Sequence, residues 1–182
     1  MSDADTVMLG VAIAIPQPHA HVLAKWRRQV GDPVADLVYP HVTLLPPTPV
    51  QASAMAEVEQ HLADTAAGHR PFVMHLAGTG TFRPTSPVVF IQVATGVSDC
   101  ELLEREIRRG PLARELAFPY HPHVTVAQDI DETALDAAYD GLSGFVARFP
   151  VERFALFSRA DGGQWHWRTE FELGRATGGP RG

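Results

Sequence analysis

The chain has 182 residues, 45% apolar and 20% charged, with 15 Lys and Arg against 21 Asp and Glu, a net charge of −6 with histidine neutral. That is enough apolar chain for a sizeable core. The acidic balance argues against gripping long nucleic acid through released counterions, and DNA is not an expected partner.

Cys100 is the single cysteine, so an internal disulfide is excluded, which fits a reducing cytosol. Met1-Ser2-Asp3-Ala4-Asp5 is acidic and lacks the basic stretch of a secretory leader. The longest apolar run, Val7 to Ile15, is too short to cross a bilayer. A soluble cytoplasmic protein with no membrane partner is expected.

Residues 6–15 read as a buried strand stopped by Pro16. Pro18 opens a predicted helix through about Val30, with Val22, Leu23, Trp26 and Val30 at helical spacing and Gly31 closing it. A strand around residues 41–45 follows and is expected to end at Pro46-Pro47. A second helix is predicted over 50–67 with Val58 and Leu62 inward, then strands over 72–82 and 88–94 around the turn-rich loop Arg83-Pro84-Thr85-Ser86-Pro87. Ser98-Asp99-Cys100-Glu101 looks like a capping start for a third helix to about Arg108, packing through Leu102, Leu103 and Ile107. A strand over 122–127, a helix over 131–140 and strands over 144–149, 151–158 and 164–173 complete the series. The last two are expected to form a hairpin around Asp161-Gly162-Gly163. Residues 174–182 carry no apolar anchor and are expected to be a disordered tail.

One pattern occurs twice: Tyr39-Pro40-His41-Val42-Thr43-Leu44, and Tyr120-His121-Pro122-His123-Val124-Thr125-Val126. On a strand, side chains alternate faces. His41 and Thr43 therefore share one face and Val42 and Leu44 the other, and the same holds for His123 and Thr125 against Val124 and Val126. Each copy offers an imidazole and a hydroxyl over a cleft and anchors them with buried aliphatics. The element order of the two half-chains is similar, as after an internal duplication, which predicts an α+β architecture of two lobes with helices outside and the motif strands facing a groove.

Two imidazoles across a groove suit a reaction that removes one proton and supplies another, because histidine titrates near neutrality. A phosphodiester has that demand: the attacking hydroxyl loses a proton and the leaving oxygen gains one. Thr43 and Thr125 can donate hydrogen bonds to the non-bridging oxygens as charge builds. His19, His21, His61, His69 and His75 show no partner pattern, and His166, between Trp165 and Trp167, reads as a half-exposed strand residue.

The paired His-x-Thr-hydrophobic motifs resemble those of the 2H phosphoesterase superfamily, and within it the bacterial 2′-5′ RNA ligase and cyclic phosphodiesterase group, over roughly residues 6–173. The resemblance implies a bilobal, pseudo-twofold α+β domain spanning residues 1–173, with antiparallel sheets lining a central groove. It implies metal-independent opening of 2′,3′-cyclic phosphates, or making and breaking of 2′-5′ linkages, with no cofactor. The partner would be a small nucleotide or an RNA terminus carrying a cyclic phosphate. His41 and His123 carry over by resemblance as catalytic, acid and base respectively, and Thr43 and Thr125 as phosphate-binding. Members acting on RNA often place a basic residue two positions before the second motif histidine, where this chain has His121. Arg83 or Arg159 is then a candidate source of positive charge, and Tyr39, Tyr120, Phe82 and Trp165 are candidate base-stacking groups.

Two other readings use the same residues. His41, His121 and His123 are a candidate metal triad, although no Cys, Asp or Glu lies beside either motif. A non-catalytic nucleotide or phosphate sensor would use the same four motif residues, but binding alone would more naturally employ Arg or Lys. Nothing in the pattern demands a dimer, and a monomer is expected.

Overall fold

The structure is a computed structural model that describes residues 5–159 and 164–174. Its elements are β1 (Thr6–Ala14), α1 (His19–Gln29), β2 (His41–Gln51), α2 (Met55–Gly68), β3 (Phe72–Thr81), β4 (Val88–Thr95), α3 (Val97–Ile107), β5 (His123–Gln128), α4 (Glu132–Gly141), β6 (Val146–Val151), β7 (Arg153–Arg159) and β8 (His166–Glu172). The strands form one antiparallel sheet in the order β6-β3-β4-β5-β2-β1-β7-β8.

The seam between the two motif strands is narrow: β2 and β5 pair at Val42↔Val124 alone. Two four-stranded half-sheets thus meet along the motif strands, with a strand–helix–motif-strand unit at the centre of each. The outer strands are exchanged in chain order. β3 crosses to the half-sheet of β5, and β7 and β8 return to that of β2.

Alternation along the motif strands is as the sequence predicts. Val42, Leu44, Val124 and Val126 are fully buried, whereas His41, Thr43, His123 and Thr125 keep partial exposure. Each buried aliphatic contributes roughly 1.5–3 kcal/mol, so the four together fix the strand register that orients the polar face. The helices cover the apolar face crosswise, α3 packing on β2 and α1 on β5. Trp26 of α1 lies so close to Gly141 at the end of α4 that no Cβ would fit there.

Five expectations are corrected. β2 continues through Pro46, Pro47 and Pro49 to Gln51, which moves the start of α2 to Met55 after a 3₁₀ turn over Ala52–Ala54. Beyond Val42 this strand pairs only with β1, so prolines cost no ladder bond on the open side. Pro46 and Pro47 fall where the β1–β2 register slips at Gly10, a bulge that absorbs the extra residue. α3 begins one residue after Gly96, which adopts φ 98° as the chain turns out of β4, and no side chain caps it. Its inward stripe is therefore Cys100, Leu103, Glu104 and Ile107, and Leu102 is 47% exposed. On α1, Val22 is exposed while Arg27 is buried with Ala20 and Leu23. Val58 and Leu62 are buried as expected. The turn at 161–163 and the tail at 175–182 lie outside the described residues.

Candidate active site

Both motif histidines are held by the same local bond. His41 Nδ1 lies 2.6 Å from the Tyr39 carbonyl, and His123 Nδ1 lies 2.7 Å from the His121 carbonyl. A carbonyl only accepts, so each Nδ1 must carry the proton, and in the neutral ring each Nε2 is left as the base. A buried proline, Pro40 or Pro122, sits between carbonyl and imidazole in each case. His41 Nε2 also lies 3.1 Å from Thr43 Oγ1, and with Nδ1 protonated the hydroxyl donates to it. Among the described residues no matching bond joins His123 to Thr125.

Burial lowers the pKa of both imidazoles from the usual 6.5 because it disfavours the charged form. The carbonyl bonds oppose this in part. Arg27 adds to the depression at His41, and the charges of His121 and His41 add to it at His123. The two histidines therefore sense one another, and a proton on one discourages a proton on the other. The doubly protonated pair is therefore disfavoured.

The remaining surroundings differ. His123 stands among Phe82, edge-on with ring centroids at 5.0 Å, Phe90 at 5.2 Å and His121 stacked at 6.2 Å. His41 instead opens on a cleft of about 460 Å3 that includes Thr43, Tyr39, Leu37, Trp165 and Trp167. Behind His41, Arg27 and Asp32 form a buried ion pair at 2.8 Å. Asp32 also accepts the Val34 N–H at 3.0 Å, pinning the start of the segment that carries Tyr39.

The other sequence candidates separate clearly. Tyr39 lines the cleft, its hydroxyl donating to the Ile15 carbonyl at 2.9 Å. Trp165 is a cleft wall, whereas Phe82 belongs to the enclosure of His123. Tyr120 is a tie between the motif strands, packed on the core with its hydroxyl donating to the Thr43 carbonyl at 2.9 Å, not a free stacking face. Arg83 does not offer a free charge, because its guanidinium bonds Glu132 and Asp136 of α4, both at 2.8 Å. Arg159 lies over the Trp165 ring at 5.1 Å, and its buried Nε has no partner among the described residues. His41, His121 and His123 do not form a metal triad: among the described residues no group of three or more His, Cys, Asp or Glu side chains is placed to share an ion.

Sequence reading missed Phe90, Trp167 and the Arg27–Asp32 pair. Trp167 lines the same cleft as Trp165 two positions earlier, a spacing visible in the sequence. Arg27 follows Leu23 at i+4 on the buried stripe of α1, so a charge in an apolar pattern was its mark.

The sheet thus presents two pinned histidines and two threonines on one open face, a set of groups that can give and accept protons near neutrality. The chain belongs to the 2′-5′ RNA ligase superfamily, whose profile matches residues 15–163. A Bacillus mycoides (strain KBAB4) protein provisionally named a phosphoesterase is 28% identical over 173 residues, covering 92% of this chain and 97% of that one. A Bacillus cereus (strain AH820) protein of the same designation is 27% identical over the same share. Among solved structures, E. coli LigT complexed with 3′-AMP superposes with a TM-score of 0.71 at 20% identity, covering 94% of this chain and all of that one. A Thermus thermophilus protein gives 0.60 at 21%, covering 92% and 98%. These likenesses establish the fold. Among the described residues no helix is long and apolar enough to cross a membrane.

Proposed function

We propose that the protein is a metal-independent phosphoesterase that opens a 2′,3′-cyclic phosphate to a 2′-phosphate, with His41 and His123 as acid and base. The observation that supports this most is the shared Nδ1–carbonyl bond, which leaves Nε2 of each ring as the atom able to accept or give a proton. His123 Nε2 takes a proton from water as the water oxygen bonds phosphorus. The bond from phosphorus to the ribose 3′ oxygen breaks, and His41 Nε2 gives that oxygen its proton. Thr43 and Thr125 hydroxyls donate to the non-bridging oxygens. Solvent exchange then removes the proton from His123 and restores one to His41.

The unequal surroundings support this direction. In-line displacement puts the nucleophile and leaving group on opposite sides of phosphorus. The aromatic enclosure of His123 suits a small nucleophile such as water, and the cleft beside His41 has room for the nucleoside that carries the leaving 3′ oxygen. Among the described residues no free arginine joins the four motif residues, so a protonated His41 supplies the positive charge for the phosphodiester, whose own charge favours that proton. With a ribose 5′-hydroxyl in place of water, the same displacement would make a 2′-5′ linkage. The 3′-AMP in the E. coli LigT structure supports a nucleotide-sized ligand.

Product analysis with a 2′,3′-cyclic mononucleotide in EDTA tests the proposal. Wild type is expected to release the 2′-phosphate, and His41→Ala and His123→Ala to lose about 10²–10⁴-fold in kcat while staying folded. Activity abolished by EDTA and restored by zinc, or near-normal turnover in both variants, would sink it.

A further inference from the structure

The walls of the cleft beside His41 are apolar out of proportion to what folding requires. Leu37, Tyr39 and Trp167 are 51%, 43% and 47% exposed, and all three line it. Clustered exposed apolar side chains mark a binding surface. The aromatic walls are held in place: Phe157 meets Trp167 edge-on at 4.9 Å, and the Arg159 guanidinium sits over Trp165 at 5.1 Å. Trp165 also rests against Gly10, where even a Cβ would lie 3.5 Å from the ring.

Charge is as informative as shape. The charged residues lining this cleft are Arg28 and Asp36, and they pair with each other at 3.3 Å. Beyond Tyr39 and Trp167 lies a second hollow of about 590 Å3, which has Glu152 and Glu170 against Arg153, with Arg153 paired to Glu170 at 3.0 Å. A groove for a nucleic-acid strand combines stacking faces with a basic track for the phosphates. This one has stacking faces without the track.

We propose that the cleft is the subsite for the uncharged ring of a substrate carrying one phosphodiester, so that a cyclic mononucleotide is fully recognised and further nucleotides of an RNA strand add nothing. The inference rests on the phosphoesterase reading for its turnover assay, and a binding assay keeps it separate from that reading. The ring lodges among Tyr39, Phe157, Trp165 and Trp167, and the cyclic phosphate lies between the two histidines. Each added nucleotide would bring an anionic phosphate toward a surface whose lining arginines, Arg28 and Arg153, are paired with carboxylates and whose neighbouring Arg159 is engaged over the Trp165 ring.

The test compares kcat/KM for ring-free glycerol 1,2-cyclic phosphate, a 2′,3′-cyclic mononucleotide, and tri- and hexanucleotides ending in a 2′,3′-cyclic phosphate, each at low and high salt. The mononucleotide is expected to exceed the ring-free substrate by about tenfold or more, as stacking on an aromatic wall provides. Lengthening the strand should leave the value flat and insensitive to salt. Trp167→Ala, or Leu37→Ala should that variant fold poorly, is expected to cut the mononucleotide-to-glycerol ratio about tenfold. A value that climbs with length and falls with salt, or a ratio unmoved in a folded variant, would overturn the inference. Should no substrate turn over, tryptophan fluorescence titrated with 3′-AMP decides: saturable quenching weakened by Leu37→Ala upholds the subsite. Binding of the hexanucleotide alone, or no saturable quenching at all, refutes it.

Discussion

His41 and His123 each follow a buried proline and donate Nδ1–H to the carbonyl two residues back, at 2.6 and 2.7 Å, yet beyond that bond the two halves of the site part company. The His41 half holds a threonine on Nε2, a buried ion pair behind the motif and an open cleft in front. Among the described residues the His123 half lacks the threonine bond, its helix ion pair (Arg108 with buried Glu104 on α3) leaves the arginine partly exposed, and Phe82, Phe90 and His121 crowd its ring. The backbone device that fixes imidazole orientation and tautomer is the same in both halves. The neighbours differ, so two chemically identical groups stand in different environments. In the proposed reaction that difference gives the site a direction.

The comparison breaks most forcefully at the ion pair of the His41 half, which is buried at both ends where the Arg108–Glu104 pair of the other half is not. Asp32→Ala strands the Arg27 cation in the core and is expected to cost about 3–5 kcal/mol of folding stability, read from the denaturant midpoint at unchanged m-value. A loss under about 1 kcal/mol, the scale of an exposed pair, would mean that the pair is not what anchors the segment leading to Tyr39. A smaller effect sharpens the comparison from the other side. Phe82→Ala admits water to His123, and because burial is the main cause of that group's lowered pKa, its pKa should rise toward the usual 6.5 while His41 titrates as before. NMR titration of the two imidazoles checks this, and equal movement of both would deny that their surroundings are independent. The depressed pKa values also carry a stability consequence. The unfolded imidazoles take up protons near pH 6.5 that the folded ones resist, so this contribution is complete above that pH and is lost as the pH falls through the folded values.

The motif pair was legible because strand alternation is local: His41-x-Thr43 and His123-x-Thr125 needed only the period of two to place four side chains on one face. The helices were legible where the apolar stripe was clean, as at Val58 and Leu62 of α2. The errors arose where distant partners decide. Prolines 46, 47 and 49 look like strand breakers until β2 is known to have an open side beyond Val42. Leu102 reads as core until Gly96 sets the start of α3. The candidate charges Arg83 and Arg159 could not be judged from spacing, because Glu132, Asp136 and Trp165 reach them only through the folded sheet.

The most direct measurement of the proposed division of labour is the pH dependence of kcat/KM for a 2′,3′-cyclic mononucleotide in wild type and the two alanine variants. Wild type should give a bell with both limbs on the acid side of pH 6.5, since both free imidazoles titrate below it. His123→Ala should lose the acid limb set by the base, and His41→Ala the alkaline limb set by the acid. The same bell persisting in both residual activities, or the limbs vanishing in the opposite order, would contradict the assignment.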